Sequence, residues 1–298
     1  MPAFGRVLTA MVTPLRSDRS LDLDGAQRLA RHLLDHGSEG LVIAGTTGES
    51  PTLSHDETLE LFTAVVEAVG ERAPVIAGCG KNDTAATVGL VREATEVGVD
   101  GVLLVTPYYN KPSQRGLIGH FTAAAEATDL PVLLYNIPSR SACEIAPATL
   151  LRLAEGLPNV IGVKDAVGNF AKTAWLTARA PEGFGVWAGD DATFVQTLAA
   201  GGVGVVSVAG HLVAEELATI ADAFPHDPAK ARTVYQRLLP LFDALFVDSN
   251  PVPLKAALAM RGLPGGPVRP PLAEADDATV ETMRSALAAV GLSTIDDG

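Results

Sequence analysis

Cysteine is nearly missing from this chain of 298 residues. Cys79 and Cys143 are the only two, and neither stands in a Cys-x-x-Cys pair, which excludes a disulfide framework and a thiolate metal site of recognisable spacing. Basic charge is scarce as well: 22 Lys and Arg stand against 35 Asp and Glu, a net charge of -13. Without a run of Lys or Arg the chain lacks the basic stripe that a nucleic acid or an anionic membrane needs, and an anionic substrate would have to be drawn in by local cations such as Lys164 and Arg140. No apolar run reaches the ~20 residues of a membrane helix. The opening residues, Met1-Pro2-Ala3-Phe4-Gly5-Arg6, lack the basic start and apolar middle of a signal peptide, so a soluble, cytoplasmic protein is expected. The histidines form no His-Glu-x-x-His pair, and neither a Gly-x-Ser-x-Gly elbow nor a phosphate loop occurs, which argues against zinc proteolysis, serine hydrolysis and nucleotide hydrolysis. His55 and His211 read as surface or loop histidines.

What the chain does have is apolar residues, 47% of the total, enough to bury a large core. They come in short runs separated by amphipathic segments. Eight such runs, at 6–12, 40–44, 74–77, 101–105, 131–135, 160–164, 185–188 and 204–208, read as strands of βα units in a parallel sheet. Helices between them are marked by a capping-box pattern at Ser54-His55-Asp56-Glu57, by a stop at Gly37, by Asp83 or Thr84 as the cap of the third, and by Asp190 or Asp191 as the cap of the seventh. After residue 224 the alternation ends. Helical patterns at 228–247, 253–261 and 275–291 follow, with a Gly/Pro-rich linker at 262–271. The expected fold is α/β: a (β/α)8 TIM barrel over residues 1–224 with a C-terminal helical domain over 225–298. A doubly wound sheet is the alternative, but Gly78-Cys79-Gly80 lacks the third glycine of a dinucleotide fingerprint.

The sixth run, Val160-Ile161-Gly162-Val163-Lys164-Asp165, ends abruptly in a lysine. Burial depresses an ammonium's pKa and leaves neutral, nucleophilic amine near pH 7, the requirement for a Schiff-base lysine. The plainer alternative is that Lys164 leaves the strand and pairs with Asp165 in solvent. In a barrel the loops after the strands carry the chemistry, and here they are polar. Gly45-Thr46-Thr47-Gly48-Glu49 offers hydroxyls and backbone N–H groups for a carboxylate. Thr106-Pro107-Tyr108-Tyr109-Asn110 and Tyr135-Asn136-Ile137-Pro138-Ser139-Arg140 place three of the chain's four tyrosines and an arginine around the mouth into which Lys164 would project. Asp190-Asp191 could hold a divalent metal, but no further ligand arrives at a matching spacing and helix capping accounts for both.

These blocks, with Gly189-Asp190-Asp191, Gly204-Val205-Val206-Ser207 and Asn250-Pro251-Val252-Pro253, closely resemble the pyruvate-dependent class I aldolases of the N-acetylneuraminate lyase and dihydrodipicolinate synthase family, in order and over nearly the whole chain. The resemblance implies a barrel enzyme that needs no metal or organic cofactor and commonly assembles as a homotetramer, a dimer of dimers. By position, Lys164 would form the imine with pyruvate. Thr46 and Thr47 would bind the pyruvate carboxylate. Tyr135 would move protons through a relay completed by Thr47 and by Tyr109 of a neighbouring subunit. Arg140 would receive the carboxylate of L-aspartate 4-semialdehyde, and the backbone near Gly189 and Val206 would line the pocket. A sister aldolase acting on a sugar acid, or a catalytically silent keto-acid-binding barrel, are the competing readings.

The resemblance also carries an effector pocket for lysine, which maps to Ser50, His55, Thr58, Asn82, Ala86 and Tyr108. Ala86 stands where lysine-inhibited members often place a glutamate, and Thr58 where they place a histidine. A second departure, Asp165 in place of a glutamate, is conservative. Without a carboxylate at position 86 the effector's ammonium lacks a partner, so feedback inhibition should be weak or absent. Titration of the activity with L-lysine checks this, and strong inhibition at sub-millimolar lysine would overturn it.

Overall fold

In the computed structural model, which describes residues 2–295, each of the eight apolar runs is a strand: β1 (Val7–Ala10), β2 (Gly40–Ile43), β3 (Val75–Gly78), β4 (Gly101–Val105), β5 (Val132–Asn136), β6 (Val160–Asp165), β7 (Gly185–Ala188) and β8 (Gly204–Ser207). Met1 and the last three residues of the expected tail lie outside the described residues. Every strand pairs in parallel with its sequence neighbours, and β1 pairs with β8, so the sheet closes on itself. The doubly wound alternative is thereby excluded.

Side chains alternate between two apolar layers because the strand period is two. Leu8, Val42, Ile76, Leu103, Leu133, Tyr135, Trp187 and Val206 fill the interior. Their neighbours Val7, Leu41, Ile43, Val75, Leu104, Leu134, Val163 and Val205 pack outward under the helices. Gly162 and Gly185 flank the Trp187 ring, and a Cβ on either would come within 2.5 and 2.6 Å of it. With its indole Nε1 donating to the Gly5 carbonyl at 3.0 Å, Trp187 reaches toward the N-terminal end of the barrel and leaves the C-terminal mouth to other residues.

The outer helices are α1 (Leu23–Asp35), α2 (His55–Val69), α3 (Thr84–Val97), α4 (Gln114–Ala125), a short α5 (Pro138–Ser141), α6 (Pro147–Gly156), α7 (Phe170–Thr177), α8 (Phe194–Ala199) and α9 (Gly210–Ala223). Ser54 and Glu57 form the full capping box of α2, and Asp83 caps α3 by accepting from Ala86 N. The sequence pattern misses α5, which at four residues is too short to show a helical period and rests on Pro138 at its start.

Two expectations are corrected. His211 is neither a surface nor a loop histidine: it lies buried near the start of α9, where Nε2 accepts from Val12 N at 3.1 Å and Nδ1 donates to Val208 O at 2.9 Å. Burial pushes its pKa down to about 4, so a neutral ring ties the end of β1 to the end of β8. Asp190 caps only the 3-10 turn Asp191–Thr193 that leads into α8, accepting from Ala192 N, and Asp191 caps nothing. Its buried carboxylate instead accepts from Ser207 Oγ and from the Val208 and Ala209 amides across the β8 loop.

Three further helices follow, α10 (Pro228–Ala244), α11 (Val252–Met260) and α12 (Asp277–Ala289). α10 stops short of the predicted 247. Leu245 is buried but Phe246 and Val247 are exposed, so the helix ends where its buried face does. The 262–271 linker is strapped to the barrel mouth: Leu15 N donates to Gly265 O, and Arg269 donates through its backbone N to Glu49 and through its guanidinium to Glu57. That guanidinium holds the Glu57 carboxyl down at about 2. From α11, Lys255 reaches Glu49 at 2.5 Å, with both side chains buried, and donates to Pro267 O at 2.8 Å.

Removing one partner of a buried ion pair strands the other charge. Lys255→Met should therefore lower folding stability by about 3–5 kcal/mol, measured by urea denaturation, and adding Glu49→Gln should recover part of the loss.

Candidate active site

Register places the site's amine. Tyr135 pairs with Lys164 and Lys164 with Trp187, so all three point into the barrel, while Asn136 and Asp165, one residue on, point out. Asp165 accepts from Asn136 Nδ2 at 3.3 Å on that outer side. The solvent-exposed Lys164–Asp165 pair is thus ruled out by the pleat. Lys164 is 4% exposed and its Nζ lies 4.3 Å from the centre of the Tyr135 ring. Burial pushes its pKa down to about 8, Asp191 nearby favours the charged form, and Arg140 opposes it.

Tyr135 is buried too. Desolvation pushes its phenol up to about 12 against the hydrogen bond it makes with the Thr46 side chain. It therefore stays protonated beside the amine across the physiological range. Thr46 and Thr47 are presented by a tight turn after β2, in which Ala44 and Glu49 both adopt left-handed φ, +47° and +55°. A Cβ at Gly48 would sit 3.0 Å from the Ala44 backbone, which explains the glycine. The turn is closed by Thr13 Oγ1 donating to Gly48 O at 2.7 Å. Thr47 is buried, and its Oγ1 accepts from Asn250 Nδ2 at 2.9 Å.

Arg140 rides on α5 and lines a pocket of about 230 Å³ together with Thr46, Ser50, Tyr108 and Ile137. The structure thus brings Lys164, Tyr135, Thr46 and Arg140 to one mouth. It also sets Ser50 and Tyr108, expected in the effector pocket, on the wall of that same mouth. Gly189 closes tightly on β6, its N donating to Asp165 O, and Val206 belongs to the barrel interior.

Other expected residues are not brought in. Tyr109 is 89% exposed, with φ +75°. Of the remaining effector positions, Thr58 is buried and donates to Ser54 O. His55 pairs on the surface with Glu93 at 3.1 Å, Asn82 O accepts from Asn110, and Ala86 serves the α3 cap. Two residues that sequence reasoning missed as site members are Asp191, weighed only as a metal ligand or a cap, and Asn250, which carries no local signal of its reach to Thr47.

Chemically, the arrangement offers an amine that is partly neutral near pH 8, a neutral phenol against it, and an arginine with hydroxyls and backbone N–H groups for carboxylates. A keto acid seated here can be attacked at its carbonyl. The sign of the pH effect follows from the lowered pKa. Between about 8 and the ordinary 10.5 the unfolded chain binds more protons, so stability rises with pH across that window and the cost is full below it. Lys164→Met should abolish any pyruvate adduct and raise stability at pH 7 by up to about 3 kcal/mol, read from adduct mass and from thermal melting.

The chain is similar to known proteins over nearly its whole length. A family model described as the dihydrodipicolinate synthetase family matches residues 3–290. The chain is 52% identical over 293 residues, 98% of its length and all of the relative's, to a Symbiobacterium thermophilum protein named 4-hydroxy-tetrahydrodipicolinate synthase. It superposes with a TM-score of 0.96 at 42% identity on a dihydrodipicolinate synthase from Cyanidioschyzon merolae with lysine bound, covering 97% of this chain and 99% of that one. With the chloride-inhibited synthase of Acinetobacter baumannii complexed with pyruvate, the TM-score is 0.93 at 34% identity, over 97% and 100% of the two chains. With a family model spanning nearly its whole length and a relative at half identity end to end, the chain belongs to the dihydrodipicolinate synthetase family.

Proposed function

We infer that this chain condenses pyruvate with L-aspartate 4-semialdehyde to give 4-hydroxy-tetrahydrodipicolinate, the first committed step of diaminopimelate and lysine biosynthesis. The observation that carries the reading is Lys164, a buried amine of lowered pKa against the Tyr135 ring at the mouth of a closed barrel, in a chain whose relatives bear that activity's name.

In this reading neutral Lys164 Nζ attacks the ketone carbon of pyruvate, and the carbinolamine loses water to form a protonated imine. The imine draws electrons from the methyl group, which releases a proton to become an enamine. That carbon then attacks the aldehyde, and the aldehyde substrate's own amine closes the ring and expels Lys164. Tyr135, kept protonated by its burial, carries protons to and from the carbinolamine oxygen, with Thr46, the side chain it hydrogen-bonds, as the next member of the relay in place of the expected Thr47. Thr46 and Thr47 receive the pyruvate carboxylate, and Arg140 holds that of the semialdehyde in a two-pronged contact, with the backbone at Gly189 and Val206 lining the pocket.

Assembly is part of the proposal. Tyr109 projects almost wholly into solvent from a left-handed backbone position. A partner subunit would give that ring a role, as the relay member it supplies in a homotetramer built as a dimer of dimers. The tail, 225–298, acts as a helical domain bracing the mouth. Among the described residues no helix is long and apolar enough to cross a membrane, in keeping with a place in the cytoplasm.

The deciding assay follows pyruvate consumption with L-aspartate 4-semialdehyde beside N-acetylmannosamine and glyceraldehyde. Selective turnover with the semialdehyde is expected, turnover with a sugar aldehyde alone would move the chain to a sister activity, and no turnover at all would leave a silent barrel. Arg140→Ala should cut kcat/KM for the semialdehyde about 10- to 100-fold, the worth of a hydrogen-bonded charge, and leave pyruvate adduct formation with borohydride intact.

A further inference from the structure

We propose that Asn136 is a positioning residue whose side-chain amide closes the loop carrying Arg140, and so sets where that guanidinium stands to meet the carboxylate of the aldehyde substrate. The inference rests on the reading of Arg140 given above and adds the device that places it. Asn136 is the last residue of β5, and its buried side chain points away from the barrel interior. Its Oδ1 accepts from Ile145 N at 2.9 Å, while Nδ2 donates to Ile145 O at 3.2 Å and to Asp165 Oδ1 at 3.3 Å. One amide thus meets both polar groups of one backbone residue, as the facing residue of a strand pair would. Its polarity is fixed. Turned over, the amide would set its NH2 against the Ile145 N–H and its oxygen against the Ile145 carbonyl and the Asp165 carboxylate, three repulsions in place of three bonds.

Between Asn136 and Ile145 the chain leaves β5, makes the single turn of α5 and comes back. Arg140 stands within that excursion. Burial dominates the shifts of Lys164 and Tyr135, and the Arg140 charge is felt by both, opposing protonation of the amine and easing ionisation of the phenol. The start of the excursion is fixed by β5 itself, paired with β4 and β6. Its far end belongs to no strand, since Ile145 stands just ahead of α6. There Asn136 is joined by Gln114 of α4, whose Nε2 donates to Glu144 O at 2.8 Å and whose Oε1 accepts from Ala146 N at 3.0 Å. Lys172 pairs with Glu144 at 2.6 Å. Those contacts are at or near the surface, where such pairs hold weakly, and Asn136 supplies the buried part of the clamp. An isolated turn as short as α5 does not hold its own shape, so the place of Arg140 follows from how the loop's two ends are held.

The test measures the two substrates separately in the full-length protein with Asn136→Ala, Arg140→Ala and their combination, folding being checked by circular dichroism and melting. Asn136→Ala should raise the KM for L-aspartate 4-semialdehyde about 10-fold, short of the roughly 100-fold that a misplacement of about 1 Å can cost. The pyruvate concentration that half-saturates the borohydride-trapped adduct at Lys164 should move less than about threefold, as for a site the change does not touch. In the Arg140→Ala background the same change should cost less than about threefold, because the amide acts through the arginine. A merely structural amide would weaken both substrates together and cost the same in both backgrounds, and either result overturns the proposal. An unchanged semialdehyde KM in folded Asn136→Ala overturns it as well. No semialdehyde turnover by the unmodified protein, or full activity in Arg140→Ala, would instead bring down the reading of Arg140 and this proposal with it. Should Asn136→Ala not fold, Asn136→Ser is judged by the same criteria, since its single hydroxyl keeps a polar group beside Asp165 but cannot meet both polar groups of Ile145.

Discussion

The desolvation of one ammonium is the constraint on which the rest of this structure depends. A lysine on an inner position of a closed barrel has no route to solvent except the mouth, and its charge is opposed by the apolar wall around it. The barrel makes room by pairing large with small. Trp187 fills the lower interior against Gly162 and Gly185, and Lys164, two residues above Gly162, occupies the upper level beside Tyr135. The two buried groups shift in opposite directions for the same reason, the amine toward neutrality and the phenol away from ionisation. The outcome is a partly neutral amine and a protonated phenol side by side near pH 8.

A site of this kind works only if the loops around it hold still, and here the support comes from residues remote in sequence. The turn carrying Thr46 and Thr47 contains two non-glycine residues in left-handed conformation, which costs energy. It is held by Thr13 from below and by Lys255, Arg269 and Asn250 from the tail. Two strands round the barrel, on the other side of β1, Asp191 gathers three donors of the β8 loop, and neutral His211 ties that loop to the end of β1. The C-terminal helices thus act on the mouth directly, with Asn250 and Lys255 touching the same turn.

The overall charge of -13 runs against two anionic substrates, so their capture falls to local groups. Arg140 is the cation placed at the pocket wall, on a helix of one turn whose position follows from Pro138 and the end of β5. The wall it shares with Ser50 and Tyr108 means that residues expected to bind an effector border the substrate entrance directly.

The eight strands, the longer helices between them and the lysine at the end of the sixth strand were legible from residues 1–224 alone, because they depend on local apolar periodicity, capping residues and the alternation of short runs. Seven motif blocks in order were also enough to identify the family. Only the tertiary structure decided which of those residues meet. That Lys164 and Asp165 point to opposite faces depends on the register of β6 between β5 and β7. The buried roles of Asp191 and His211 depend on partners across the β8 loop and at the end of β1. Asn250 reaches Thr47 across 203 residues, and no local pattern encodes such a contact. Local periodicity reports which face of an element is apolar, whereas a hydrogen bond between distant segments exists only once the barrel has closed and the tail has packed against its mouth.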